Sequence, residues 1–188
     1  MIKIGITGSI ASGKTTASKI LSYKRGPLFS ADKAVKELYQ NKKFKSLISR
    51  RFKIENNKQI KKSLKKLVLE NKKNFKKLEN IIHPFVRKKM RSFTLQNKNK
   101  KLLFYEIPLL VESKLMKHFN VVIFIKARKK IRFKRFKSKI GDKKLFNLLN
   151  NKQMVDSKKI KFCDHVVVNE KNLSILKKNL SAIINKYE

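Results

Sequence analysis

The chain has 188 residues, with 50 Lys or Arg against 12 Asp or Glu and a formal net charge of +38 at pH 7, so it suits one domain with a substantial core and room for a small inserted subdomain. A single cysteine, Cys163, excludes an internal disulfide, and no Cys/His group has metal-ligand spacing; no apolar run approaches the ~18 residues of a membrane span, so a reducing, cytoplasmic setting without signal peptide or anchor is expected. The charge admits nucleic acid, an anionic membrane face or phosphorylated small molecules as partners, but lysine is spread evenly from Lys3 to Lys186, which reads as a composition bias and a solvated face rather than a dedicated patch.

Ile2-Lys3-Ile4-Gly5-Ile6 is a short β-branched strand. It leads into Gly8-Ser9-Ile10-Ala11-Ser12-Gly13-Lys14-Thr15, which fits Gly, four residues, Gly-Lys-Ser/Thr, with an amphipathic helix behind it. Gly8 and Gly13 let the backbone turn with positive φ and let amides approach an anion without a Cβ in the way. Those amides open into the N-terminus of a helix beginning near Lys14, a concave nest of partial positive charge. In this reading Gly8, Ala11, Ser12, Gly13, Lys14, Thr15 and Thr16 bind ATP. Lys14 reaches the β- and γ-phosphates, and the Thr15 hydroxyl ligates the Mg²⁺ that bridges them. The alternative is an ordinary Gly-rich turn capping a helix, with Lys14 solvated. Strand, complete motif and helix together favour a nucleoside triphosphate site.

Arg25-Gly26-Pro27 ends the first helix by the Gly-then-Pro stop rule, and Leu28-Phe29-Ser30 is a second strand. Asp32 follows, where a helix through Ala34, Val35 and Leu38 begins. In open parallel sheets the ligand crevice lies outside the carboxyl ends of the strands, which places Asp32 beside it. Two readings stand for Asp32: a helix N-terminal carboxylate held by free amides, or a base that orients an acceptor hydroxyl and takes its proton.

Residues 41–100 are a lysine-rich helical block without a strand signal. Ile60, Leu64, Leu67 and Val68 mark one apolar face, and Phe75, Leu78, Ile81, Ile82, Phe85 and Val86 another. His83-Pro84 interrupts the second pattern, so a kink or a fresh helix start is expected there. On its residues alone His83 reads as a surface histidine.

Leu102 to Ile107 is a near-continuous apolar run, as a buried parallel strand should be. It carries Glu106, a position from which a carboxylate can hold Mg²⁺ through water, and Glu112 reads as a cap for a helix over 113–118. Val121 to Ile125 is a fourth strand. A basic helix from Arg128 to Lys139 is broken at Gly141-Asp142 before a second helix through Leu145, Phe146, Leu148 and Leu149, a hinged cationic pair suited to a lid over phosphates. His165 to Asn169 is a fifth strand, and Leu173, Leu176, Leu180, Ile183 and Ile184 have the spacing of a last core helix.

Five segments, in this order, resemble the dephospho-coenzyme A kinases over nearly the whole chain. They are Gly5 to Thr16; Phe29-Ser30-Ala31-Asp32-Lys33; Leu78-Glu79-Asn80-Ile81-Ile82-His83-Pro84; Ile107-Pro108-Leu109-Leu110-Val111-Glu112; and Gln153-Met154 ahead of Cys163 to Asn169. The resemblance implies an α/β, three-layer P-loop kinase fold. It would form a single domain over 1–188 with a five-stranded parallel sheet, a helical acceptor-binding insertion at about 41–100 and a lid at about 128–160. The implied reaction moves a phosphoryl group from ATP, with Mg²⁺, to the 3′-hydroxyl of dephospho-coenzyme A, the last step of coenzyme A synthesis. Asp32 becomes the favoured base, with Lys14 and Arg135 as catalytic cations, and His83, Asp32, Pro108 and Leu109 contact the acceptor. Two departures stand out: the segment between Arg135 and Gln153 is one residue shorter than usual, with Lys139 matching a second lid arginine, and Lys61 stands where arginine is common. Lysine gives a point charge where arginine gives a bidentate fork. A nucleoside monophosphate kinase and a basic NTP-dependent nucleic-acid binder are the rival readings. No aromatic platform or nucleic-acid module supports the second, so no specific nucleic-acid partner is expected. A monomer is expected.

Overall fold

The structure is a computed structural model that describes residues 1–55 and 59–188. In chain order the elements are β1 (Ile2–Gly8), α1 (Lys14–Ser22), β2 (Leu28–Ser30), α2 (Ala31–Leu38) and α3 (Lys42–Phe52). α4 (Ile60–Glu70), α5 (Lys72–Gln96), β3 (Leu102–Glu106) and β4 (Val121–Lys126) follow. α6 (Lys129–Ile140), α7 (Lys143–Asn151), α8 (Asp156–Ile160), β5 (His165–Val168) and α9 (Leu173–Ile184) complete the chain. Two compact units result: a sheet unit of Met1–Ser30 with Asn97–Glu188, and a helical unit of Ala31–Gln96.

In the sheet unit five parallel strands run in the order β2-β3-β1-β4-β5. β1, β3 and β4 are buried on both faces, which is why they read as unbroken apolar runs. On one face Ile4, Ile6, Leu102, Phe104, Ile123, Ile125 and Val167 meet Ala17 and Leu21 of α1 and Leu176, Leu180 and Ile184 of α9. Each large side chain fully buried here stabilises the fold by roughly 1.5–3 kcal/mol relative to exposure. Asn172 caps α9 by accepting the Ile175 amide at 3.0 Å, so the helix starts in register with its apolar stripe. Leu110 and Phe119 of the β3–β4 connection lie over Gly5, and Tyr105 packs edge-on to Phe119 at 5.2 Å.

That connection departs from expectation. No α-helix spans 113–118; a short 3₁₀ turn at Met116–His118 follows Lys114, which sits at φ 54. A left-handed residue there ends the turn begun at Leu109. Strand register puts Glu106 opposite both Ile6 of β1 and Ser30 of β2.

The helical unit has its own core: Leu38, Phe44, Ile48, Phe52, Ile60 and Leu64, with Leu78, Ile81, Ile82 and Val86 packed against it. Asn41 starts α3 by accepting the Phe44 amide at 3.0 Å. Of the two expectations at His83-Pro84, the fresh start fails, because α5 runs unbroken from Lys72 to Gln96 with Pro84 inside it. An interior proline costs about 3 kcal/mol or more locally. Leu78, Ile81, Ile82 and Val86 bury on both sides of it into one core, and that burial outweighs the cost. Among the described residues, no helix is long and apolar enough to cross a membrane.

Candidate active site

Between β1 and α1 the backbone takes conformations that explain the glycines. Gly13, the residue before α1, has φ 96, and a Cβ there would stand 2.1 Å from Asn169 Nδ2. Gly8 has φ 151, and its Cβ would stand 2.4 Å from the Ile125 carbonyl oxygen. No side chain fits either place. Ala11 adds a left-handed turn at φ 56. The result is a loop whose amides run into the N-terminus of a nine-residue helix.

Side chains fix this loop from within and from outside. Lys14 is only 8% exposed and its Nζ donates to the Ser9 carbonyl at 3.0 Å. Asn169 Nδ2 donates to the Ser12 carbonyl at 2.8 Å, and Arg135 Nη1 donates to the same oxygen at 3.4 Å. The Ile10 amide donates to Gln153 Oε1 at 2.8 Å, and the Ser9 hydroxyl donates to Asp156. Ser12 is fully buried, and its hydroxyl has no hydrogen-bond partner among the described residues.

Arg132 is the most constrained cation in the neighbourhood. Its Nε donates to the Ala127 carbonyl at 3.0 Å, and Nη1 donates to Asn150 Oδ1 at 2.8 Å and to the Ile10 carbonyl at 3.3 Å. Burial lowers the pKa of its guanidinium, and the nearby Asp156 carboxylate opposes that shift. Phe146, whose ring is tilted by 60° and 59° to those of Phe133 and Phe136, lies under the guanidinium at 6.0 Å. The break at Gly141-Asp142 has a physical cause: Gly141 sits at φ 80, and Asp142 caps α7 by accepting the Leu145 amide at 2.9 Å.

At the carboxyl end of β3 the Thr15 hydroxyl donates to Glu106 Oε1 at 2.5 Å, and Glu106 is 3% exposed. Thr15 and Thr16 themselves face solvent on the first turn of α1. Among the described residues no three His, Cys, Asp or Glu side chains could hold a metal. A hydroxyl paired with one carboxylate fits Mg²⁺, a hard cation that takes one or two protein oxygens and completes its shell with phosphate and water. The Pro108 carbonyl accepts from Thr7 Oγ1 at 3.2 Å, and Leu109 beside it is half-buried. Glu112 caps no helix: it pairs with Lys159 at 2.7 Å. Burial pushes the Cys163 thiol up to about 11, which leaves it without nucleophilic character at neutral pH.

Within the helical unit Asp32 is exposed on the first turn of α2, with no hydrogen bond or ion pair among the described residues. His83 is half-buried on α5, where burial lowers its pKa against the opposing pull of Glu79. A cleft of about 550 Å³ between α3 and α5 is lined by Arg51, Lys73, Lys76, Lys77 and Asn80 over a floor that includes Leu47 and Phe85. Lys139 is exposed on α6.

Sequence reasoning had assigned no role to Arg132, Asn150, Asp156 or Asn169. Arg132 was one cation among many in a basic helix. Asp156 had a usable signal, since so few carboxylates exist that one beside Gln153 merited inspection.

The dephospho-CoA kinase family model (CoaE) matches residues 2–174. A dephospho-CoA kinase of Bartonella quintana is 35% identical over 186 residues, covering 96% of this chain and 95% of its own. A protein of Thermus thermophilus of known crystal structure superposes with a TM-score of 0.83 at 26% identity, over 100% of this chain and 98% of its own. The dephospho-CoA kinase from Campylobacter jejuni does so with a TM-score of 0.68 at 28% identity, over 98% and 96%. With its phosphate loop, parallel sheet and P-loop kinase fold, this chain belongs to the dephospho-CoA kinase family.

Proposed function

We propose that this kinase moves the γ-phosphoryl group of ATP to the 3′-hydroxyl of the ribose of dephospho-CoA, giving ADP and CoA, with Asp32 as the base. The observation that carries the reading is the preformed loop. Its amides, the buried Lys14 ammonium and the unpartnered Ser12 hydroxyl supply donors for phosphate oxygens, while Thr15 and Glu106 stand ready at the strand end.

As the 3′-oxygen bonds to the γ-phosphorus, the bond from that phosphorus to the β,γ-bridging oxygen breaks, and ADP takes the electron pair. The hydroxyl proton passes to the Asp32 carboxylate. Lys14 and Arg135 share the charge on the transferring group, so catalysis is positioning and charge neutralisation rather than covalent chemistry. Mg²⁺, held through Thr15 and Glu106, supplies further neutralisation of the β- and γ-oxygens when bound.

Gly8, Ala11, Gly13 and Thr16 complete the nucleotide contacts. Residues 128–160 act as the lid. His83 contacts the acceptor, and the Arg51–Lys76 cleft complements the acceptor's diphosphate; the resemblance also gives Pro108 and Leu109 as acceptor contacts. The protein works in the cytoplasm as a monomer within one P-loop kinase domain over 1–188.

The test is ATP turnover with dephospho-CoA set against a panel of nucleosides and nucleoside monophosphates. Asp32→Asn keeps shape and removes basicity, and should lower kcat by about 10²–10⁴-fold. Turnover near the wild-type rate would remove Asp32 from the mechanism.

A further inference from the structure

Two charged side chains of the sheet unit stand outside the phosphate cradle, one fully buried and the other half-buried against it. Lys159 on α8 is 0% exposed, and its Nζ lies 2.7 Å from Oε1 of Glu112 in the β3–β4 connection. The same Oε1 accepts the Met154 amide at 3.1 Å. Beyond that ion pair the Lys159 ammonium makes no hydrogen bond among the described residues, and neither does Oε2 of Glu112. A buried ammonium answered by a single carboxylate is strongly unfavourable to leave half-made, so the pair fixes where α8 sits against the connection.

Beside and between these two grips sit the contacts that hold the loop from outside. Gln153, next to Met154, accepts from the Ile10 amide at 2.8 Å. Asp156, one turn before Lys159 on α8, accepts from the Ser9 hydroxyl. α8 has only five residues, and Val155 before it is exposed, so little apolar surface is available to hold either acceptor.

We propose that Glu112 and Lys159 are a positioning pair for nucleotide binding. By clamping residues 153–159 they aim Gln153 and Asp156 at Ser9 and Ile10, and so hold the loop in the shape that takes the triphosphate. The proposal rests on the reading of the loop as the ATP site and adds a function to two residues that touch neither substrate.

The single variants would leave an uncompensated buried charge and fold poorly, so the test uses neutral pairs. E112Q/K159M keeps a carbonyl to accept the Met154 amide; E112M/K159M fills the same space and accepts nothing. ATP affinity is measured by titration calorimetry, KM for ATP and for dephospho-CoA by turnover, and folding by thermal melting. E112Q/K159M, which loses the Lys159 grip and keeps the Met154 one, should bind ATP about three- to fivefold more weakly, and a cooperatively folded E112M/K159M, which loses both, about tenfold more weakly with the acceptor KM unchanged. A purely structural pair would lower only the melting temperature of E112M/K159M, and unchanged ATP affinity there overturns the proposal. Calorimetry with ATP alone needs no acceptor. A wild-type chain that binds ATP without phosphorylating dephospho-CoA therefore sinks the acceptor assignment, while the two double variants still decide the role of the pair.

Discussion

The two units handle the same excess of cations in opposite ways. In the sheet unit Lys14, Arg132 and Lys159 are withdrawn from solvent, at 8%, 6% and 0% exposure, and each meets a carbonyl or carboxylate. In the helical unit Arg51, Lys73, Lys76 and Lys77 line an open cleft, and Asp32 faces solvent without a partner among the described residues. Burial forces a charge to be paired, and pairing fixes its position, whereas an exposed cation contributes field and little geometry. The sheet unit's buried cations are thus held in place by their partners, while those of the cleft face solvent.

The sharpest way to break that contrast is Lys14→Met. Losing the buried donor should lower kcat by about 10²–10³-fold with the fold retained; ATP turnover beside a melting curve reads it, and a small loss would mean the loop is not preorganised around Lys14. Next comes Gly13→Ala. A side chain at φ 96, crowding Asn169, should cost about 1–3 kcal/mol in urea unfolding and raise KM for ATP. On the acceptor side, R51Q/K76Q should raise KM for dephospho-CoA only about 3–10-fold and leave KM for ATP alone, since exposed charge contacts are worth up to about 1 kcal/mol each. A comparable rise in KM for ATP would erase the distinction between the units.

The smallest effect is a pH dependence at His83. Burial lowers its pKa below the ordinary 6.5, so well above 6.5 neither folded nor unfolded chain protonates it. As pH falls below 6.5 the unfolded chain takes up the proton first, and stability is lost until folded His83 itself titrates. Stability of wild type relative to His83→Gln should therefore decline from pH 7 to 5; a ratio that stays flat would show that His83 is not desolvated.

Much of the architecture was legible because its signals are local. A β-branched strand, the phosphate-loop pattern and a following helix occupy one short stretch, and a loop of that composition has few conformations open to it. The Gly141-Asp142 break was equally plain, since a glycine at φ 80 and an aspartate cap act on their immediate neighbours. Pro84 started no new helix because its local cost was outweighed by core packing on both sides. The 113–118 helix failed on a left-handed Lys114 that no pattern announces. α8 escaped notice, five residues being too few to show a period.

The sequence by itself determined that a chain of this kind builds an anion-binding loop between a strand and a helix, because backbone freedom at Gly8 and Gly13 is a property of those residues wherever they stand. Only the tertiary structure decided which partner each charge meets: Lys159 with Glu112, Asp156 with Ser9, Arg132 with Asn150. Desolvation depends on what surrounds a group in space, and in a chain where lysine is nearly everywhere, spacing along the sequence carries no record of which lysine is dry.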